Sequence, residues 1–188
     1  MKLRLPTIAG LFAIGAVAGL IGDHGHVVTA TLEYLPAAHR VPFVWTSPIW
    51  FPVLVGMATI LSAELRLHLG TARTSVTARQ GFGGVAAVVG AYAFTALAHT
   101  APVFVTTVLI STMAAITWSV LGDRAAIVCG VATAVVGPAA EAALVAVDVF
   151  RYTHGNDGLL GVAPWLVPLY FAFGVVAALL AEIAAEPT

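Results

Sequence analysis

Residues 47–70, SPIWFPVLVGMATILSAELRLHLG, open on Pro48, Trp50, Phe51 and Pro52 and run apolar for several turns. They close on Glu64, Arg66 and His68 before Gly70. Tryptophan at one end and a charged collar at the other suit a helix that crosses a bilayer between two interfaces. Prolines in its first turn are tolerated, because the first N–H groups of a helix have no intrahelical partner. The stretch predicts a membrane span over 47–67, with Glu64, Arg66 and His68 as a solvated collar.

The composition extends that reading to the whole chain. Of 188 residues, 60% are hydrophobic and 9% charged, and the mean hydropathy is +0.99. Soluble domains carry about a quarter charged residues, so there is too little polar surface here to coat a water-soluble globule. A net charge of −1 leaves no basic stripe for nucleic acid. The single cysteine, Cys129, excludes an intramolecular disulfide. Arginine outnumbers lysine seven to one, and Ala, Val and Gly dominate. That usage is typical of GC-rich genomes and points to a bacterial cytoplasmic membrane.

Outward from residues 47–67, the chain divides into further apolar runs. The first covers 5–22 or longer, after Lys2 and Arg4. Its basic start and Ala16-Val17-Ala18 also suit a cleavable signal peptide, but more membrane segments follow rather than a secreted domain. Gly15 and Gly19 form a small-xxx-small pair that lets another helix approach closely. Residues 23–43 mix Asp23, His24, His26, Glu33, His39 and Arg40 with apolar residues, and read as an extension of the first helix followed by an interfacial connection. Further runs cover 80–99, 103–121, 125–147 and 164–185. Each is on the order of 20 residues, enough to cross about 30 Å of hydrocarbon. Gly122 reads as a left-handed residue ending the fourth helix, and Asp123 as the N-cap of the fifth. The runs are continuous rather than alternating, which disfavours a β-barrel. The expected fold is an all-α integral membrane protein, a single bundle of six transmembrane helices with a lipid-sized cavity among them.

Charge sets the orientation. Lys2, Arg4, Arg66, Arg73, Arg79 and Arg124 fall on one side, and Arg40 and Arg151 on the other. The positive-inside rule then places both termini in the cytoplasm.

Several of these pieces together resemble the Insig (insulin-induced gene) family. The carriers are Ser47-Pro48-Ile49-Trp50-Phe51-Pro52 with His68-Leu69-Gly70, then Leu121-Gly122-Asp123-Arg124 after a tryptophan-bearing fourth span. Phe150-Arg151-Tyr152-Thr153 and Pro164-Trp165-Leu166-Val167-Pro168 follow in the same order. The resemblance covers most of the chain. It departs where Trp118 stands alone five residues before Asp123, where Thr106 and Thr107 take the place of a polar amide, and where cysteines near the second-span prolines are absent. The resemblance implies a six-span, non-enzymatic protein that binds a lipid among its helices, an oxysterol in the eukaryotic family. It also implies contact with a membrane protein partner, for which Asp123 and Arg124 are the candidates.

Glu141 is the most informative polar residue, because it lies well inside a span and follows Pro138 by about one turn. A carboxylate in hydrocarbon is costly, so such residues face a bundle interior and mark function by default. The bland alternative is a protonated Glu141 that satisfies the carbonyl freed by Pro138. Glu141, Pro138, Thr106, Thr107, Trp118 and Trp50 are the candidate lipid contacts. Trp45, Trp50 and Trp165 also read as interfacial anchors, and Asp123 also reads simply as a helix cap. The expected ligand has a small uncharged head and a long apolar body, diacylglycerol-like or sterol-like, since the spans supply no charges for a phosphate or choline. The competing reading is a small secondary transporter with its site at Pro138 and Glu141, although the two halves show no self-similarity of the kind transporters carry. His24, His26, His154 and Asp157 share a side but lack a zinc-ligand spacing, so no metal is expected. HExxH, GxSxG and P-loop patterns are absent, and an enzyme is not expected. No cofactor is expected apart from a bound lipid, and a homo-oligomer is compatible with the sequence.

Overall fold

The computed structural model describes residues 3–153 and 155–185. Lys2 and His154, which entered the reading above, lie outside the described residues. Among these residues six α-helices form: α1 (Leu5–Val28), α2 (Trp50–His68), α3 (Ala78–Leu97), α4 (Val103–Leu121), α5 (Arg124–Ala146) and α6 (Leu166–Ala184). All six are long and apolar enough to cross a membrane, and the protein is an integral membrane helix bundle. α1 runs through Asp23 and His26 and stops at Thr29. α3 starts ahead of the apolar run because Thr77 and Gln80 cap it reciprocally, with Thr77 N donating to Gln80 Oε1 at 2.8 Å and Gln80 N to Thr77 Oγ1 at 3.3 Å.

α6 is the hub. Its membrane window is 61% buried, against 39% or less for every other span, and it packs on α2, α3, α4 and α5. α1 lies across α2 and α3. The approach to α2 needs Gly19, where an added Cβ would sit 2.9 Å from the Val55 side chain. This is the close helix packing that the Gly15 and Gly19 pair predicts.

The connections alternate between two ends. The basic end gathers the start of α1, the α2–α3 link, the α4–α5 turn and the end of α6. There Asp123 caps α5, its Oδ1 accepting from Ala126 N at 2.8 Å. Gly122, however, has φ −88° and is not left-handed. Its missing Cβ instead makes room for the Trp118 side chain.

The opposite end carries what the sequence did not announce, four short strands. β1 (Leu32–Tyr34) pairs antiparallel with β4 (Phe150–Tyr152), placing Leu32 opposite Tyr152 and Tyr34 opposite Phe150. β2 (Phe43–Val44) and β3 (Ser47–Pro48) form a hairpin. Side chains alternate across a strand, so Leu32, Tyr34, Phe150 and Tyr152 share the inner face of the first sheet. Glu33 and Arg151 pair on its outer face at 2.7 Å. Segments of two or three residues are too short to leave an alternation in the sequence. The first sheet joins the loop after α1 to the loop after α5 and closes the bundle at this end.

Candidate lipid-binding site

A cavity of about 310 Å³ opens in the half of the bundle nearer the sheets. Its walls come from α1 (Ala18, Gly19), α2 (Trp50, Leu54, Ala58), α3 (Val88, Val89, Tyr92), α5 (Gly137, Glu141, Leu144) and α6 (Leu166, Tyr170, Phe173), with Phe150 of β4 above. A separate, small apolar pocket of about 30 Å³ lies beside it, sharing Ala18, Val88, Val89 and Phe173 and bordered also by Gly15, Ala177 and Leu180. α2 and α5 meet where Cys129 Sγ lies 3.8 Å from the Ser62 carbonyl. Nearer the sheets they part, and the exposed Leu54, Met57 and Leu61 face Val136 and Ala140 across the opening. The cavity is therefore a cleft with an apolar mouth toward lipid.

The polar groups are few and well ordered. Glu141 is 8% exposed, with Oε2 accepting from the Tyr152 hydroxyl at 2.7 Å and Oε1 from the Tyr170 hydroxyl at 2.6 Å. Near it is a second buried carboxylate, Asp23, 1% exposed. The Tyr34 hydroxyl donates to it at 3.0 and 3.1 Å, and Ser47 Oγ at 2.5 Å. Among the described residues neither carboxylate has a cation partner. Burial, reinforced by the adjacent carboxylates, raises the Tyr34 and Tyr152 hydroxyls far above the ordinary tyrosine range, so both remain donors. His26 Nε2 lies 2.9 Å from Thr95 Oγ1, and its ring stacks on Trp165 at 5.2 Å.

Of the candidate lipid contacts, Glu141 and Trp50 lie on the cavity wall. Pro138 is buried in α5 beside the wall residue Gly137. Thr106, Thr107 and Trp118 are placed elsewhere, because α4 packs on α3 and α6 and contributes nothing to the wall. The Thr107 hydroxyl bonds to its own helix at Val103 O, 2.7 Å, and Trp118 Nε1 donates to Asp123 O at 3.3 Å. Trp45 is 68% exposed, as an interfacial anchor should be, but Trp165 is fully buried and donates to Asn156 Oδ1 at 3.3 Å. The expectation of an anchor at Trp165 is corrected accordingly. Among the described residues no three potential metal ligands come together.

The collar is corrected too. Arg66 is buried on the α2 face toward α6, and its Nη2 donates to Glu182 and to Asp123 Oδ2 at 3.0 Å. Arg73 clamps the same Glu182, with Nη2 donating at 2.6 Å and its backbone N at 3.1 Å, and it bonds Leu121 O at 2.8 Å. Hydrogen bonding to Glu182 raises the Arg73 guanidinium further. Asp123 thus combines its cap with this ion-pair network at the basic end, and Arg124 is the first residue of α5.

The sequence reading did not name Asp23, Ser47, Tyr34, Tyr92, Tyr152 or Tyr170 as site residues, although Ser47 and Tyr152 are among the residues that carry the family resemblance. Asp23 and Ser47 lie at span edges, where polar residues read as interfacial, and the tyrosines read as apolar. The available signal was the number of hydroxyls flanking two isolated carboxylates.

No family model matches the chain. It is 61% identical over 184 residues to a protein described as an INSIG protein homolog from Mycolicibacterium vanbaalenii, covering 98% of this chain and 89% of that protein. The crystal structure of a mycobacterial Insig homolog, MvINS from Mycobacterium vanbaalenii, superposes with a TM-score of 0.95 at 60% identity over 100% of both chains. A cross-linked trimer of an arginine-to-cysteine variant of MvINS superposes with a TM-score of 0.96 at 58% identity, again over 100% of both chains.

Proposed function

This chain belongs to the Insig family, and on that premise we propose that it is a non-enzymatic membrane protein that holds a neutral lipid in the cleft between α2 and α5. The observation that carries this reading is a mostly apolar cavity that holds one carboxylate, already bonded by two tyrosines, with Tyr92 and Thr133 as further hydroxyl-bearing residues on its wall. Its volume of about 310 Å³ lies at the lower end of ligand pockets, roughly 300–1,000 Å³. The open mouth lets the rest of a long ligand extend toward the bilayer. Each Glu141 oxygen retains a lone pair for a ligand hydroxyl. Among the described residues no cation lines the cavity, and an uncharged head group suits it better than a phosphate. Diacylglycerol and sterol-like molecules both meet this description. For a bacterial membrane we favour the two-chain glycerolipid, because its precursors are always present there. The role is that of a lipid sensor or of a scaffold for a membrane partner.

The basic end faces the cytoplasm of a bacterial cell, as the excess of arginine there favours. The chain also self-associates, a reading supported by the cross-linked trimer of MvINS. The test is mass spectrometry of lipids that survive detergent purification. A stoichiometric, chemically uniform neutral lipid is expected. Bulk phospholipid alone, together with proton-coupled flux lost in Glu141→Gln, would replace this reading with the transporter.

A further inference from the structure

Asp23 and Tyr34 do not line the cavity, yet they stand at the far end of a continuous chain of contacts that begins there. Phe150 forms part of the wall, and Tyr152, two residues on, donates to Glu141. Both are on β4, whose place is fixed by its ladder to β1. Leu35 N to Val149 O and Thr153 N to Thr31 O, both 3.0 Å, extend that ladder at its two ends. β1 is in turn held down by Tyr34, whose hydroxyl bonds to Asp23 on α1 and whose ring meets Phe150 edge-on at 6.1 Å. The inner face of one small sheet thus fastens two buried carboxylates on two different helices, one inside the lipid site and one outside it.

The geometry points to the β1–β4 sheet as a lid whose state is coupled to occupancy of the cavity, with Tyr34 and Asp23 as positioning residues for Glu141. This rests on the neutral-lipid reading above. A ligand that packs on Phe150 and bonds Glu141 restrains β4 from below, and the Tyr34–Asp23 bond restrains it through β1 from the other side. Because such coupling is reciprocal, loosening the outer fastening weakens the ligand, and adding the ligand tightens the sheet.

The test uses the purified full-length protein and radiolabelled dioleoylglycerol in detergent. Tyr34→Phe keeps the ring and removes only the hydroxyl. It should weaken dioleoylglycerol binding about fivefold, the lower range of ordinary coupling between sites. In a Glu141→Gln background the same change should have little further effect. Hydrogen exchange at the amides of 32–34 and 150–152 should slow on adding dioleoylglycerol in the parent protein, and at 32–34 much less in Tyr34→Phe. Asp23→Ala removes the acceptor of the Tyr34 hydroxyl and should weaken binding to a similar degree; it carries the test if Tyr34→Phe fails to fold, and parent-like binding by it would overturn the coupling. Parent-like binding by Tyr34→Phe, or additive losses with Glu141→Gln, would overturn the coupling and leave the neutral-lipid reading standing. Failure of the parent to bind dioleoylglycerol or a sterol would remove both.

Discussion

The two ends of the bundle each draw two carboxylates inward, and they satisfy them by opposite means. At the basic end Glu182 and Asp123 meet the guanidinium groups of Arg66 and Arg73. At the sheet end, among the described residues, Asp23 and Glu141 meet only hydroxyls, from Tyr34, Ser47, Tyr152 and Tyr170. Ion pairs at low dielectric are stiff, because separating them leaves a buried charge uncompensated. Hydroxyls can rotate, and a ligand hydroxyl can join the same carboxylate without any charge being exposed. The first arrangement fastens α2, α5 and α6 together. The second lies where the cavity opens, and under the proposed function it is the place that receives a neutral head group.

The broadest way to break this comparison is to ask which end faces which compartment, since labelling is all-or-none. Cysteines introduced at Thr71 or Arg79 should resist an impermeant reagent added outside cells. Cysteines at Asp157 or Gly158, both exposed at the sheet end, should react with it. The reverse pattern would put the arginine-rich end outside and cancel the assigned orientation.

The next largest effect is on stability. Glu182→Ala leaves the buried Arg66 with Asp123 as its one remaining carboxylate partner. Removing one member of a buried ion pair costs about 3–5 kcal/mol, so thermal unfolding in detergent should shift sharply downward. At temperatures where the variant stays folded, its retained lipid should match that of the parent. A small shift would mean that water reaches the network and that the basic end is no stiffer than the sheet end.

Ala58→Phe should act in the opposite sense. Ala58 is on the cavity wall and only partly buried, so a ring there fills ligand space with little cost to the fold. Retained neutral lipid should disappear, and with it the thermal stabilisation that added dioleoylglycerol gives the parent. Glu141→Gln comes lower in the order. Hydrogen bonds inside membranes are worth roughly 0.6–2 kcal/mol, and glutamine keeps one acceptor, so binding should weaken by about threefold to thirtyfold rather than vanish. Complete loss in Glu141→Gln, with Ala58→Phe unaffected, would show that charge rather than shape selects the ligand.

These expectations also mark what the sequence discloses. Six spans are legible because length and unbroken hydropathy are properties of each run alone. Glu141 is legible because a carboxylate that far into an apolar run has few innocent explanations. Arg66 is not, since the last turn of a span looks the same whether its arginine turns to water or to a neighbouring helix. The partner that settles the matter, Glu182, is 116 residues away. Thr106 and Thr107 sat at a plausible depth, but depth does not say which side of α6 a helix occupies. The tyrosines were hidden for a different reason: each is counted among the hydrophobic residues of the composition, while its hydroxyl does the polar work once the fold brings it to a carboxylate.

The smallest effect concerns the outer face of the sheet, and it separates two explanations of how the lid is held. Arg151 pairs with Glu33 at 2.7 Å across the same two strands that carry Tyr152 and Tyr34, but both side chains are mostly exposed, at 63% and 57%. An exposed pair of this kind is worth about 0.2–1 kcal/mol and is screened by salt. Arg151→Ala should therefore lower stability by no more than about 1 kcal/mol, less at high salt, and leave dioleoylglycerol binding unchanged. Tyr34→Phe removes one bond from the same sheet but from its buried face, where the acceptor is a carboxylate that water cannot reach. If the sheet mattered only as a strap between two loops, the two changes would affect binding alike. Measured side by side, a loss confined to Tyr34→Phe would locate the coupling in the buried hydroxyl–carboxylate contacts. Equal losses would move it to the pairing of the strands themselves.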